Sequence, residues 1–248
     1  MNTHGIGAGS SSMATPEVAA PTNKSPRAND MSFEAQLRGY IGSKYVVVVS
    51  GYDDVEYSDP SKACRAISMA LNRVRSIHGN NVLFVSEGLR RGIGIAYEAA
   101  AKHSIPTLGI MEYGDKKFGR TMDCDHFLYV ENSNTRSPRV PGSDERVWNL
   151  AIKIGRENRG GELLAIGDGV RPLSDALAAA EDGYKVTFFK GFDNTSGIVM
   201  GSLEEKLCRA REKNVRIVEH WDVANDLPSD DSCVLPDRED MGPGWEIP

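Results

Sequence analysis

Residues 85–111, VSEGLRRGIGIAYEAAAKHSIPTLGIM, pass from an apolar run through a glycine-rich turn into an alanine-rich helical pattern, then into a second apolar run. Strand, turn, helix, strand is the unit from which parallel sheets are built. The turn carries Gly88, Gly92 and Gly94, with Arg90 and Arg91 between them. A helix N-terminus presents unpaired N–H groups and partial positive charge. Glycines let an anion come close to that backbone, and guanidinium groups add donors suited to phosphate or carboxylate. The expected occupant is therefore an anion, phosphate or pyrophosphate first. Glu87, Gly88, Arg90, Arg91, Gly92 and Gly94 are the candidate contacts. A glycine-rich turn with solvated arginines is the competing interpretation. The turn lacks the lysine followed by Ser or Thr of a P-loop. It is not a G-x-G-x-x-G opening the first crossover either, which disfavours a dinucleotide dehydrogenase.

The same rhythm runs outward in both directions. Apolar runs of strand length stand at 45–49, 82–86, 106–111, 126–131, 162–166, 185–189 and 215–219. Helical patterns stand between them at 60–78, 91–103, 144–158, 172–182 and 201–213. In the 60–78 segment Ala63, Ala66, Ile67, Ala70, Leu71, Val74 and Ile77 recur at spacings of three and four, giving one apolar face. Asp59 before Pro60 has the form of an N-cap followed by proline at the first helical position. Alternating strands and helices, with strands apolar on both sides, predict an α/β fold. The expected form is a doubly wound, mostly parallel Rossmann-like sheet with helices on both faces.

In such sheets ligands sit at the carboxyl ends of the strands. Two more loops bring chemistry to that edge. SGYDD (50–54) follows the first strand, and Ser50, Gly51 and Asp53 are candidate contacts there, with a plain tight turn as the alternative. IGDGVRPLSDALAAAEDGYKV (166–186) repeats the strand–glycine–helix logic. Gly167, Gly169 and Arg171 are candidate contacts, and Asp175, one turn into the helix, is the candidate catalytic carboxylate. Its alternative is favourable placement near a helix N-terminus. In DERVWNLAIKIGREN (144–158), Arg146 and Asn149 are three apart and share a helical neighbourhood. Asn149 is a candidate ribose or base contact, or else a helix amide. Trp148 is expected in the core.

Bulk properties narrow the function. The net charge is −6, so no global basic field argues for nucleic acid. No apolar run approaches the roughly 20 residues of a membrane span. Cys64, Cys124, Cys208 and Cys233 form no CxxC pair and the histidines are scattered, so neither a metal site nor a resident cofactor is expected. Free thiols and a cytoplasmic location are the expectation. Residues 1–31 are rich in Ser, Thr, Ala, Pro, Gly and Asn and are expected to be disordered. They lack the apolar core of a secretory signal. They lack acidic residues before Glu17, as secretion leaders of bacterial effectors can, so a secreted effector using the fold as a scaffold is one alternative. Residues 227–248 are acidic and Pro-rich, a tail with Val234, Leu235 and Trp245 as candidate anchors. The domain is expected over 32–226. A homo-oligomer is compatible with all of this.

Over roughly residues 45–220 the chain resembles the SLOG superfamily, the Rossmann-like group that includes DprA/Smf and Lonely-guy proteins. The resemblance lies in VVVVSGYDD, in the 85–111 stretch and in ELLAIGDGVRPLSDALAAAEDGYKVTFF. DCDHFLYVEN and KGFDNTSG bring it nearest to the N-terminal ligand-sensing domain of melastatin-type TRP channels and its stand-alone prokaryotic relatives. That resemblance implies a nucleotide-derived small-molecule partner such as ADP-ribose. Lonely-guy phosphoribohydrolases, which cleave the N-glycosidic bond of nucleoside monophosphates, carry Pro-Gly-Gly-x-Gly-Thr-x-x-Glu and an upstream arginine. With Asp175 in the glutamate's place, Asp168, Gly169, Arg171 and Pro172 fall where Gly, Gly, Gly and Thr belong. Arg146 or Arg156 would have to supply the arginine. The resemblance therefore implies binding before hydrolysis.

Overall fold

The computed structural model describes residues 31–53, 55–112, 123–130, 137–195 and 203–219. Contacts divide the chain into residues 1–31 and residues 32–248, and the fold below belongs to the second unit. The disorder expected before Met31, the tail at 227–248 with its anchors, Cys233 and the segment that prompted the effector alternative lie outside the described residues.

The strands are β1 (Tyr45–Ser50), β2 (Val82–Glu87), β3 (Thr107–Glu112), β4 (His126–Val130), β5 (Gly161–Ile166), β6 (Lys185–Lys190) and β7 (Arg216–Glu219). The helices are α1 (Phe33–Ile41), α2 (Pro60–His78), α3 (Ile95–Lys102), α4 (Val147–Asn158), α5 (Val170–Glu181) and α6 (Leu203–Glu212). The strands form one sheet in the order β4-β3-β2-β1-β5-β6-β7. Every pairing is parallel. The fold is thus α/β and Rossmann-like, and wholly rather than mostly parallel.

Side chains of successive strand residues point to opposite faces, and β1 shows it directly. Val46 and Val48 join an apolar layer with Leu37, Ile41, Trp148, Leu173, Phe188 and Leu207, under α1, α4, α5 and α6. Val47 and Val49 join the opposite layer with Ile67, Leu71, Phe84, Tyr97 and Ile95, under α2 and α3. This two-sided burial is why the run YVVVV is continuous rather than alternating.

The helix ends follow local chemistry. The Asp59 carboxylate accepts from Lys62 N at 2.9 Å, and Pro60 takes the first position of α2. Ile77 departs from the expected apolar face: it is 63% exposed, while the next residue, His78, stacks on Tyr45 of β1 with ring centroids 3.8 Å apart. α1 has no counterpart in the sequence expectations. Its signals were present, since Ser32 Oγ accepts from Ala35 N at 3.2 Å, and Phe33, Leu37 and Ile41, spaced by four, are its buried face. α4 begins three residues later than expected because 140–145 forms a turn, with Val140 N donating to Glu145 O at 2.9 Å. Among the described residues no helix is long and apolar enough to cross a membrane, and no cluster of His, Cys, Asp and Glu is arranged to hold a metal.

Candidate functional site

The chain winds from β1 to β4 in one direction and from β5 to β7 in the other. The order reverses between β1 and β5, and a narrow crevice without free room for a water molecule lies at the carboxyl ends there, where open sheets of this winding place their ligand sites. Val49, Ser50, Gly51, Ser86, Glu87, Ile93, Trp148 and Arg171 line it. Ser50 and Glu87 are the last residues of β1 and β2, so the sheet itself fixes them. Ser86 is turned inward, its Oγ donating to Val49 O at 2.7 Å. Tyr97 of α3 donates its hydroxyl to Ser86 O at 3.2 Å.

Arg171, in the first turn of α5, reaches over this crevice. Its guanidinium pairs with Asp53 from the β1 loop and with Glu87 from β2. Three of the expected contact residues, each from a different loop or strand end, therefore meet in one ion-pair group. The arginine is 14% exposed and Glu87 10%, so this pairing is better shielded from solvent than an ordinary surface bridge. Two carboxylates face one guanidinium, and the group carries net negative charge.

Asp175 stands behind Ser50, outside the residues lining the crevice. It is 1% exposed. Ser50 Oγ donates to its Oδ2 at 2.6 Å and Ser137 Oγ donates to its Oδ1 at 2.6 Å. Arg146, immediately before α4, donates to the same Oδ1. Ser174 also accepts from Arg146, at 3.3 Å. This knot fastens the end of β1, the 137 segment, the start of α4 and the middle of α5 to one another. Sequence spacing had put Arg146 and Asn149 in one neighbourhood, and the structure separates them. The Asn149 amide donates to Asp182, the C-cap of α5, two turns beyond Asp175. Asn149 is buried and does not join the crevice, because its position on α4 faces the far end of α5.

The glycines have a physical reason that the sequence did not disclose. Gly92 has φ +55°, and a Cβ there would overlap the Tyr52 carbonyl. Gly167 and Gly169 lie against the Tyr52 ring, where a Cβ would come within 2.8 and 2.6 Å of ring carbons. Gly51 faces Tyr57 and Ile93, Gly88 faces Phe127, and Gly94 faces the Leu89 carbonyl. These contacts are made within the chain, so the glycines let loops close on one another. The expected donor at the helix start is also partly used: Ile93 N donates to Tyr52 O at 2.7 Å. Tyr52 is the residue that sequence reasoning missed. Its ring, carbonyl and hydroxyl join three loops, the hydroxyl donating to Phe192 O at 3.1 Å. Burial, with Asp168 nearby, pushes its phenol up to about 12, so it remains a neutral donor. Arg90 and Arg91, in the turn that follows β2, are exposed and are not among the residues that line the crevice.

Asp168 adds a pH dependence. Burial raises its pKa above the ordinary carboxylate value, against the opposing hydrogen bond from Gly191 N at 2.8 Å. The folded state therefore holds the proton more tightly than the unfolded state, and stability falls as pH rises through the raised pKa. Asp168→Asn, uncharged at every pH and still able to accept from Gly191, should melt higher than the parent at pH 7. The gap should close as pH falls through the usual carboxylate range. Melting curves from pH 7 to pH 4 measure it, and a lower melting temperature for the variant at pH 7 would contradict the assignment.

No protein-family model matches the chain, and no curated protein matches it. Solved structures do show similarity in backbone. The molybdenum cofactor carrier protein of Chlamydomonas reinhardtii matches at 13% identity and a TM-score of 0.46, over 73% of this chain and 95% of its own. DNA processing protein A of Streptococcus pneumoniae matches at 17% identity and a TM-score of 0.42, over 76% of this chain and 63% of its own. A nicotinamidase from Staphylococcus aureus matches at 13% identity and a TM-score of 0.38, over 71% and 99%. Likenesses at this level concern α/β architecture and say nothing of the ligand.

Proposed function

We propose that the chain is a SLOG-like protein that binds a nucleotide-derived small molecule, ADP-ribose or a related nucleotide, at the switch-point crevice, as a sensor rather than a catalyst. One observation carries this: Ser50, Gly51, Asp53, Glu87 and Arg171 converge where the strand order reverses. In this account Arg90 and Arg91 take the phosphates from the rim, beside Gly88, Gly92 and Gly94. Gly167 and Gly169 bound the other side. Asp175 acts through Ser50, holding the end of β1 in place.

Calorimetry with ADP-ribose and AMP tests the proposal. Arg90→Ala combined with Arg91→Ala should leave the melting temperature unchanged, since both side chains are exposed. It should weaken binding by about 1.5–3 kcal/mol for each arginine that touches phosphate. Unchanged affinity for every phosphate ligand that binds would remove the anion site from the rim.

The pairing of Arg146 with Asp175 favours a second reading, a phosphoribohydrolase. Arg146 would then supply the arginine of the Lonely-guy pattern and Asp175 its acid. Such an enzyme would release free base from a nucleoside monophosphate, and chromatography of the reaction mixture distinguishes the two. The burial of Asp175 behind Ser50 supports the sensor.

A further inference from the structure

The two faces of the sheet are covered unequally. α1, α4, α5 and α6 lie on one face, and only α2 and α3 lie on the other. Those two connect β1 to β2 and β2 to β3, so the second face of β6 and β7 has no helix of its own among the described residues. Strand alternation sets what stands there. Val186, Phe188 and Ile217 belong to the helix-covered face, so Lys185, Thr187 and Phe189 of β6 and Arg216 and Val218 of β7 belong to the other. Thr187 pairs with Arg216 in the register, which puts Lys185 and Arg216 on neighbouring positions. Lys185 is 54% exposed, and Arg216 is exposed and makes no ion pair among the described residues. On the inner side Arg73 of α2 reaches Glu162 of β5 at 3.2 Å, and Lys185 reaches the same carboxylate at 2.7 Å. Glu162 is 1% exposed, so it offsets one of these three cations and leaves the face positive. Thr187, Phe189 and Val218 give it a partly apolar floor.

The charge that answers this face lies in the same chain. Residues 220–248 hold eight Asp and Glu against Arg238 alone, net −7. With −6 for the whole chain, the remaining 219 residues stand at +1. We propose that the acidic segment 220–248 docks across the second face of β6 and β7, with Asp230, Asp231 and Asp237 toward Lys185 and Arg216 and with Val234 and Leu235 on the floor. The segment leaves β7 at Glu219, beside the face. The eleven residues to Asp230 span up to about 36 Å, and β6 is roughly 20 Å long. The carboxyl edge carries Asp53, Asp168 and Asp193, which repel the segment and leave it the amino half. Surface ion pairs are individually weak, but covalent attachment supplies an effective concentration of about millimolar order. A second copy fits less well, because a two-fold contact would set this basic face against itself.

Zero-length carbodiimide cross-linking of the full chain at low concentration, mapped by mass spectrometry, tests the proposal. Lys153 of α4, on the opposite face and 53% exposed, is the control. Lys185 should join Asp or Glu of 222–246 within one chain, with a yield several-fold above that of Lys153. The excess should vanish near 1 M salt, where screening acts over about 3 Å. In the 15N-labelled full chain, Asp230→Asn, Asp231→Asn and Asp237→Asn together should shift the amides of Thr187, Arg216 and Val218 and leave those of Ser50 and Gly51 in place. Equal yields from Lys185 and Lys153, cross-links found only between two chains, or unmoved amides on β6 and β7 would each overturn the docking. None of these outcomes bears on nucleotide binding at the crevice.

Discussion

Asp175→Ala should destabilise the protein by about 3–5 kcal/mol, the range for removing one partner of a buried ion pair. In a domain of this size that is on the order of 10 °C in melting temperature. The carboxylate accepts from Ser50, Ser137 and Arg146 at once and is 1% exposed. Alanine would leave a guanidinium and two hydroxyls facing a void. Asp175→Asn keeps one acceptor oxygen and loses the charge, so it should cost less. Urea or thermal denaturation gives both values, and a loss under about 1 kcal/mol for the alanine variant would show that the knot contributes little. The same residue separates sensor from enzyme. As a sensor, the wild type should release no base, and Asp175→Asn should alter affinity and stability alone. As a hydrolase, the wild type should turn over and Asp175→Asn should lose about two to four orders of magnitude in rate.

Gly92→Ala is expected to have the other large effect. The residue would meet two penalties: a left-handed backbone at φ +55° and overlap of the new Cβ with the Tyr52 carbonyl. Left-handed strain costs about 1–2 kcal/mol, and overpacking against backbone adds about 1–3 kcal/mol. Gly79 is the control. Its φ is +62° and a Cβ there meets nothing within 4 Å, so Gly79→Ala should show the strain alone. Equal losses for the two variants would mean that the close approach of Tyr52 does not matter. A larger loss for Gly92→Ala should come with weakened nucleotide binding, because Gly92 seats the turn that carries Arg90 and Arg91.

The strands were legible because burial on both faces leaves a run such as Val46–Val49 no choice of residue type. α2 was legible to the residue, since Asp59 and Pro60 write its start and Gly79, with φ +62°, its end. α1 was overlooked although Phe33, Leu37 and Ile41 mark it, because nine residues give only three buried positions. The strand order was out of reach. That β5 lies beside β1 depends on the crossover from β4 through α4, which no local pattern states. The site was legible as three loops and illegible as contacts. Arg171, Asp53 and Glu87 lie far apart in sequence and meet only in the folded chain. Arg146 and Asn149 look equivalent on a helix and end on different residues of α5. The glycines were visible, but their neighbour Tyr52 was not, so close loop packing could not be told from close approach of an anion.

The most direct test of the central claim is a map of backbone amide shifts as ADP-ribose or AMP is titrated into the 15N-labelled chain. Binding at the switch point predicts saturable shifts at Ser50, Gly51, Glu87, Gly88, Gly167 and Gly169, the carboxyl ends of β1, β2 and β5 and the loops that follow. Residues at the opposite edge, Asn81 before β2 and Gly160 before β5, should stay still. Saturable shifts at that opposite edge, or none anywhere with any phosphate-bearing nucleotide, would contradict the account.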